Sequence, residues 1–200
     1  MKGIVILFLT LTILSANTCK KLDCANTVYS FEAKARIINA ADSVNIGDTI
    51  WLEITCPVSQ IDLATGQRVE YSNAGNFGTA IGLGELVSPT MPVYAANDFN
   101  YVLKKGVSVN NPDVTSIREY SFAESSTMYE LLLGMVPKRK GVFSISLSNA
   151  ANVYRNNDKC TKASYAIYYA DTDKHLYYIK QIFGTEPDGG ARATYCVKVK

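Results

Sequence analysis

The chain has 200 residues, 48% of them hydrophobic, and it carries 20 basic and 18 acidic residues. Apart from the run at 138–140 the basic residues are scattered, and without a basic stripe to follow a phosphate backbone we exclude nucleic-acid binding. The length allows one large domain or two small ones, and a core of this size forms without a metal or a disulfide.

The N-terminus has the pattern of an export signal. Lys2 precedes an apolar stretch at 4–14, which is too short to span a ~30 Å hydrocarbon core as a helix. We therefore predict a signal peptide over residues 1–18, a tether over 19–27 and a single β-rich domain over 28–200. A buried N-terminal helix or strand is the alternative.

Cys19 directly follows this signal. Ordinary signal peptidase could cut before it, with Ala16 and Thr18 as the small residues, and lipoprotein signal peptidase would leave the same first residue after attaching lipid to its sulfur. The strict lipoprotein signal has a leucine and two small residues directly before the cysteine, and Leu14 lies two positions too early for it. Looser forms of this signal tolerate the departure. We predict that Cys19 is the lipid anchor of an outer-membrane lipoprotein on the periplasmic or surface face. The alternative is a secreted protein.

Removing Cys19 leaves an even number of cysteines, as expected of an exported chain that forms disulfides. These disulfide candidates are Cys24, Cys56, Cys160 and Cys196. Chain order favours the pairs Cys24–Cys56 and Cys160–Cys196 among three connectivities. Buried free thiols are the alternative, because cysteine packs well as a small hydrophobic residue.

Alternating apolar and polar residues predict strands along most of the chain. The clearest is 29–37, and the next, at 50–55, has Ile50, Leu52 and Ile54 on one face. Further strands are predicted at 79–87, 98–104, 117–122, 129–136, 142–148, 164–170 and 193–200. We expect the strand at 129–136 to be buried on both faces, and Lys138–Lys140 to form a solvated hairpin turn before Gly141.

The segment 171–184 has the signature of a helix. Asp171 or Thr172 is the expected N-cap, and Gly184 follows the last turn. An apolar stripe at helical spacing is formed by Leu176, Ile179, Ile182 and Phe183. Many short strands with one short helix near the C-terminus predict a mainly β fold, an immunoglobulin-like sandwich.

Few residues suit catalysis or metal binding. His175 is the one histidine, and we expect it to be a surface or first-turn helix residue rather than a catalytic one. The cysteines lack the spacing of a zinc site, so no metal and no cofactor is predicted. Asp171–Asp173 lacks the glycine and distal glutamate of a calcium loop. A pair of carboxylates remains open as the basis of an envelope hydrolase.

Glycines and tyrosines also need an interpretation. Gly82 and Gly84 resemble the start of a dinucleotide fingerprint, but Val87 replaces the third glycine and no βαβ unit surrounds them, so a strand bent at glycine is favoured. The 13 tyrosines can form a binding face. A core role is favoured, because a tyrosine ring packs well in a sandwich core while its hydroxyl group stays in contact with water.

Three segments, DTIWLEIT, VEYSNAGNFGTAIG and GVFSISLSNAANVYRNNDKCTKASYAIYYADTDKHLYYI, resemble an uncharacterised family of exported lipoproteins from Bacteroidetes-type bacteria. DSVNIGDTIWLEI is similar to the opening of bacterial immunoglobulin-like modules, although Trp51 precedes Cys56 by only five residues, unlike a true immunoglobulin domain. No activity is assigned to that family, so the resemblance implies no site residues. We predict a non-catalytic binding or structural module, with an unknown protein or glycan partner. A secreted adhesion or carbohydrate-binding module is the alternative.

Overall fold

The computed structural model describes residues 27–87, 92–109, 116–170, 173–185 and 189–200. Sixteen strands lie in these ranges. The first eight are β1 (Thr27–Ile38), β2 (Ser43–Val44), β3 (Ile50–Pro57), β4 (Ser59–Ile61), β5 (Arg68–Glu70), β6 (Gly78–Glu85), β7 (Val93–Tyr94) and β8 (Phe99–Lys105). The others are β9 (Val107–Val109), β10 (Ile117–Ser121), β11 (Ala123–Glu124), β12 (Met128–Pro137), β13 (Gly141–Leu147), β14 (Ala150–Arg155), β15 (Asp158–Tyr169) and β16 (Thr194–Val199). One α-helix, α1 (Tyr177–Phe183), and two 3-10 helices, Ala96–Asp98 and Gly189–Ala193, complete the described elements.

The strands form two large sheets. Sheet I has the order β11-β12-β3-β1-β15-β14, with β8 also paired to β12. Sheet II has the order β2-β16-β13-β6-β10-β9, with β7 also paired to β6. Most neighbours are antiparallel, but β1 and β15 run parallel over nine residue pairs that begin at Thr27 and Thr161. A separate hairpin joins β4 to β5.

The two sheets pack face to face around an aromatic core. Phe77, which directly precedes β6 of sheet II, stacks on Tyr165 from sheet I with ring centroids 3.9 Å apart. The Tyr71 hydroxyl donates to the Val153 carbonyl at 2.8 Å, and the Tyr129 hydroxyl donates to the Tyr71 carbonyl at 2.7 Å. These bonds satisfy buried hydroxyl groups that would otherwise be costly to remove from water.

The expected mainly β class is confirmed: the described residues form a β sandwich with one short α-helix near the C-terminus. The alternating patterns are confirmed as well. In β3 the residues Ile50, Leu52 and Ile54 are buried, and in β13 Phe143 and Ile145 are buried. Seven of the tyrosines are buried, namely Tyr71, Tyr120, Tyr129, Tyr165, Tyr169, Tyr178 and Tyr195.

Several local predictions are wrong. The strand β14 was not expected, and β15 begins at Asp158 rather than 164, because the polar residues at its start hid the pattern. In β12 the outward-facing residues Glu130 and Leu132 are only half-buried, so this strand is not buried on both faces. The segment 138–140 is no hairpin turn, because it carries the chain from β12 in sheet I to β13 in sheet II.

The helix is shorter than predicted. It begins at Tyr177 with Leu176 at the N-cap, while the expected caps Asp171 and Thr172 lie outside the described residues. His175 has φ +48°, a left-handed conformation that a helix cannot include. The C-terminal prediction is confirmed, since Gly184 has φ +73° and its N–H bonds to the Lys180 carbonyl at 2.8 Å. Within the described ranges, no helix has the length and hydrophobicity of a membrane span.

Candidate binding groove

The outer face of sheet II carries a patch of small residues. Strands β6 and β13 are antiparallel, with Gly82 opposite Ser146 and Gly84 opposite Ser144. Opposite residues of an antiparallel pair have their side chains on the same face. Because Phe143 and Ile145 point into the core, the two serines point outward, and the two glycines lie beside them.

Tyr94 and Ile117 form one wall of this patch. Ile117 lies opposite Gly82, and Tyr94 lies opposite Gly84, so both side chains flank the glycines on the outer face. Tyr94 is 75% exposed, the largest exposed fraction among the large hydrophobic residues described. We call the resulting concavity, of about 260 Å³, the groove; it is lined by Gly82, Leu83, Gly84, Pro92, Tyr94, Ser116, Ile117, Ser144 and Ser146.

The groove is uncharged but rich in hydroxyl groups. Ser144 Oγ donates to the Gly84 carbonyl at 3.3 Å, and Ser146 Oγ lies 3.3 Å from Thr194 Oγ1. A hydroxyl group offers one donor and two acceptor sites, so the half-buried Ser146 keeps hydrogen-bonding capacity for a ligand, whereas Ser144 is buried. Among the lining residues that the structure describes, none carries a charge.

The two glycines have different roles. A Cβ added at Gly84 would meet the Pro92 Cβ at 2.8 Å, so the packing of β7 on β6 requires glycine there. A Cβ added at Gly82 would have its nearest neighbour, the Ser146 Cβ, at 3.9 Å. Gly82 therefore leaves open space above the sheet, and a side chain at this position would fill the groove without a clash.

A second concavity, of about 570 Å³, lies where the loop before β6 meets the end of β14, and it is lined by Gly75, Asn76, Tyr154, Arg155 and Asn156. Its Asn76 and Arg155 side chains already bond to the protein, although the buried Arg155 Nε has no hydrogen-bond partner. Asn76 accepts from the Tyr154 N–H at 3.0 Å and donates to the Asn152 carbonyl at 3.3 Å. Arg155 bonds to the Glu70 carbonyl and lies over the Tyr71 ring. We therefore assign these residues to loop positioning.

Two carboxylates do come together in the structure. Arg139 donates to Glu85 at 2.8 Å from each of its terminal nitrogens and to Asp98 at 2.8 Å. These bonds raise the pKa of the Arg139 guanidinium above its usual range, Glu85 being the larger cause and Asp98 the next. The segment 138–140 is thus not simply solvated, because its central residue joins β6 to the 3-10 helix Ala96–Asp98.

His175 is buried rather than on the surface, contrary to the prediction. Its side chain packs against Tyr195 with ring centroids 5.3 Å apart, and its Nδ1 lies 3.2 Å from the Cys196 carbonyl. Its backbone N–H donates to Asp173 at 3.0 Å. These contacts hold the segment before α1 against β16. Within the described ranges, no three His, Cys, Asp or Glu residues are grouped as a metal site would require.

The predicted disulfide pairs are wrong. Cys56 and Cys196 are both free thiols with no exposed surface, and burial raises the pKa of each to about 12. Cys160 is disulfide-bonded, so its partner is neither of these two. Cys24 and the predicted lipid anchor Cys19 lie outside the described residues. The pairing failed because chain order says nothing about which cysteines face the core.

Part of the groove was visible in the sequence. The serines of VFSISLS occupy the face opposite the apolar residues, whereas the glycine pair alone predicts only a bend in a strand. Hydroxyl groups on one face and glycines on a neighbouring strand indicate a small-residue surface once their register is known. Tyr94 gave no such signal, because the short strand β7 shows no alternation.

The comparisons with known proteins are limited. No protein-family model matches the chain, and no curated protein matches it. Among solved structures, the human F-spondin reeler domain matches with 8% sequence identity and a TM-score of 0.37, over 91% of this chain and 100% of that structure. Similarity at this level carries no argument about function.

Proposed function

We propose that this protein is an exported, lipid-anchored binding module of the cell envelope, without catalytic activity, and that its groove binds a neutral carbohydrate. The observation that carries the ligand class is the composition of the groove. It combines an exposed aromatic ring, serine hydroxyl groups and a glycine floor with no charged lining residue in the part of the chain that the structure describes.

Each of these features suits a sugar ring. A tyrosine side chain presents an apolar face on which the C–H groups of a sugar can stack. Hydroxyl groups can donate to and accept from the hydroxyl groups of the ligand. An anionic or cationic ligand would lose water in the groove without gaining an opposite charge, which is unfavourable. A volume of about 260 Å³ accommodates a small ring rather than a large cofactor.

The proposal of a lipid anchor rests on the N-terminal sequence. Cys19 follows a short apolar stretch, and Lys20 and Lys21 follow it. Several acyl chains at one N-terminal cysteine would supply the stable anchoring that a single chain does not give. The two lysines would lie close to anionic headgroups and add a small attraction. The resemblance to exported lipoproteins supports the same location.

The ligand class can be tested by electrophoresis of the native protein through gels that contain neutral polysaccharides such as mannan, dextran, galactan and xyloglucan. We expect at least one of them to retard the wild-type protein. Tyr94→Ala should weaken binding about 3- to 10-fold through loss of stacking, and Gly82→Val should abolish it by filling the groove. Tyr177→Ala, which removes another exposed tyrosine, is the matched control.

No retardation in any gel, or equal retardation of wild type and Gly82→Val, would contradict the carbohydrate proposal. Release of reducing ends from a retarding polysaccharide would instead favour a hydrolase. The anchor is tested separately, by mass and detergent partitioning after expression in a host with lipoprotein processing. Wild type should enter the detergent phase with a diacylglyceryl-sized mass gain, and Cys19→Ala should not. An unmodified aqueous wild type would indicate a secreted module.

A further inference from the structure

The β4–β5 hairpin packs against the core at the end of the sandwich where β1 begins. On its inner side Gln60 lies opposite Val69; Gln60 is buried, and Val69 packs against the core. Side chains alternate along a strand, so Ile61 and Arg68, which also lie opposite each other, point away from the core. The hairpin therefore presents an exposed isoleucine beside an arginine on its outer side.

Hydrogen bonds fix the turn of this hairpin to β1. The Ser30 N–H donates to Asp62 Oδ1, and the Leu63 N–H donates to the Ser30 carbonyl, both at 2.8 Å. Asp62 Oδ2 also accepts from the Thr65 N–H at 3.0 Å and from the Thr65 hydroxyl group at 2.6 Å. The backbone of Leu63 is thus held against β1, while its side chain is exposed.

The start of β1 extends this apolar surface. Tyr29 packs against the core, so its neighbour Val28 points outward, and the Val28 side chain is exposed. In the register of sheet I, Val28 lies opposite Lys162 of β15, and Lys162 lies opposite Tyr154 of β14. Lys162 Nζ is 5.3 Å from the centroid of the Tyr154 ring. We call this region the end surface; it consists of Val28, Ile61, Leu63, Arg68, Tyr154 and Lys162.

The two cations of the end surface lie beside its apolar residues. Lys162 lies opposite Val28, and Arg68 lies opposite Ile61. The exposed Glu70 adds a carboxylate on the outer side of the same hairpin. Two cations against one carboxylate leave an excess of positive charge, which is attracted to anionic lipid headgroups.

Two further charges at this end already have partners in the protein. Asp158 accepts from the Cys160 N–H at 2.9 Å and from the Thr161 N–H at 3.1 Å. Arg155 donates to the Glu70 carbonyl and lies over the Tyr71 ring. These two charges are opposite in sign, so they leave the excess of positive charge unchanged.

We propose that the end surface docks on a membrane with anionic headgroups. Its apolar side chains enter the boundary between the headgroups and the acyl chains, as those of interfacial segments do. Arg68 and Lys162 lie at the lipid phosphates, and Tyr154 lies at the same level, where tyrosine rings are enriched in membrane proteins.

A membrane is the partner that the position of the end surface favours. Thr27, next to Val28, is the residue through which the N-terminal part of the chain joins the described domain. This step rests on the proposed function, because a lipid on Cys19 would hold the domain to a bilayer through that junction. Three exposed apolar side chains bind a membrane weakly on their own, and an anchor raises their effective concentration at its surface.

The test places a fluorescent reporter in the end surface of the full-length protein. Combining Trp51→Phe with Leu63→Trp leaves a single tryptophan in the chain. The protein, made in a host with lipoprotein processing, is reconstituted into phosphatidylcholine vesicles with about 30% phosphatidylglycerol, with or without bromine on the acyl chains. Bromine quenches the fluorescence of a tryptophan that reaches the acyl chains. We expect brominated lipid to lower the emission from position 63 about 2-fold or more.

The matched control combines Trp51→Phe with Val93→Trp. Val93 is 55% exposed and Leu63 is 58% exposed, so the two reporters start from similar surroundings. Val93 lies opposite Glu85, which bonds to Arg139 in the β12–β13 link at the other end of the sandwich. Its emission should not change with brominated lipid. Without phosphatidylglycerol the quenching at position 63 should be weaker, and equal quenching would overturn the role given to Arg68 and Lys162.

The outcomes separate this inference from the proposed function. Lipidated protein with no quenching at position 63, or with equal quenching at positions 63 and 93, would overturn the docking and leave the anchor standing. If Cys19 carries no lipid, the anchor is contradicted, and the same protein is added to preformed vesicles. Quenching at position 63 alone would then still support the end surface, and no quenching would overturn it as well.

Discussion

The outer face of sheet II has two halves with different surroundings. The covered half, around Cys196, lies under α1, where Leu86 and Tyr178 are buried with it, and Val142, Leu176, Ile179, Ile182 and Phe183 pack around them. The other half is the groove, where the same strands β6 and β13 carry glycine and serine. The helix thus covers the apolar residues and leaves the small polar residues uncovered.

This difference supports the proposal that the groove binds a ligand. An apolar sheet face must be covered to remove it from water, and the stripe on α1 does this. A face of serine and glycine needs no such cover for stability. Tyr94 nevertheless lies beside it with 75% of its surface exposed, and this exposure adds nothing to the core. The exposure of Tyr94 beside the groove is explained more simply by contact with a ligand than by a contribution to folding.

The largest difference in the free energy of unfolding should come from placing a charge on each half of the outer face. Cys196→Asp puts a carboxyl group under α1 without a partner, and we expect a loss of about 3–5 kcal/mol in the free energy of unfolding. Ser146→Asp, on the adjacent strand, has half-buried surroundings and should cost less than about 1 kcal/mol. Urea denaturation measures both. Similar losses for the two variants would mean that the halves do not differ in burial.

Removing a ring from α1 should give the next effect. Tyr178 is buried against the covered half, and its hydroxyl donates to Asp42 at 3.2 Å. We expect Tyr178→Ala to cost about 3 kcal/mol. Tyr177→Ala, at the neighbouring exposed position, should cost less than about 1 kcal/mol. Thermal unfolding followed by circular dichroism would compare them, and equal losses would contradict the assigned packing of the helix.

The two glycines of the groove should respond in opposite ways. Gly84→Val would force the Pro92 contact apart and should cost about 1–3 kcal/mol. Gly82→Val meets only ordinary contacts and should leave stability unchanged or raise it by up to about 1 kcal/mol, because glycine weakens a strand. Denaturant unfolding would measure both values. A loss of stability in Gly82→Val would mean that other side chains already occupy the space above Gly82.

The last effect, that of the buried thiol, should appear only at alkaline pH. Burial raises the pKa of Cys196 from 9.0 to about 12, so the folded state keeps its proton when the unfolded state has lost it. This contribution is fully present below pH 9 and is lost as the pH rises toward 12, by at most about 1.4 kcal/mol per pH unit. Cys196→Ala should therefore lose stability less steeply above pH 9. An unchanged slope would show that the thiol is accessible to water.

The sequence predicted the elements whose signal is local. Alternation located β1, β3 and β13 because one face of each strand is buried, and Gly184 marked the helix end because the chain turns there with positive φ. The start of α1 failed because His175 adopts a left-handed conformation and packs against Tyr195, a contact that a local pattern cannot contain. The same reason applies to the cysteines, whose states depend on sheet register.

The groove could be predicted from the sequence only in part. Its serines could be assigned to the outer face from VFSISLS alone, but their position beside Gly82 and Gly84 depends on the pairing of β6 with β13, which are about 60 residues apart in the chain. Which half of the sheet the helix covers was also not visible in the sequence. The stripe on α1 showed that it covers something apolar without showing where.

The most direct test of this account is the binding of neutral polysaccharides by wild type and Gly82→Val in the same native gel. The account predicts that a polysaccharide retards the wild type, and that Gly82→Val migrates as if no polysaccharide were present, while it unfolds at the same denaturant concentration as wild type or a higher one. Equal retardation of both proteins, or of neither across the panel, would contradict a carbohydrate site in the groove.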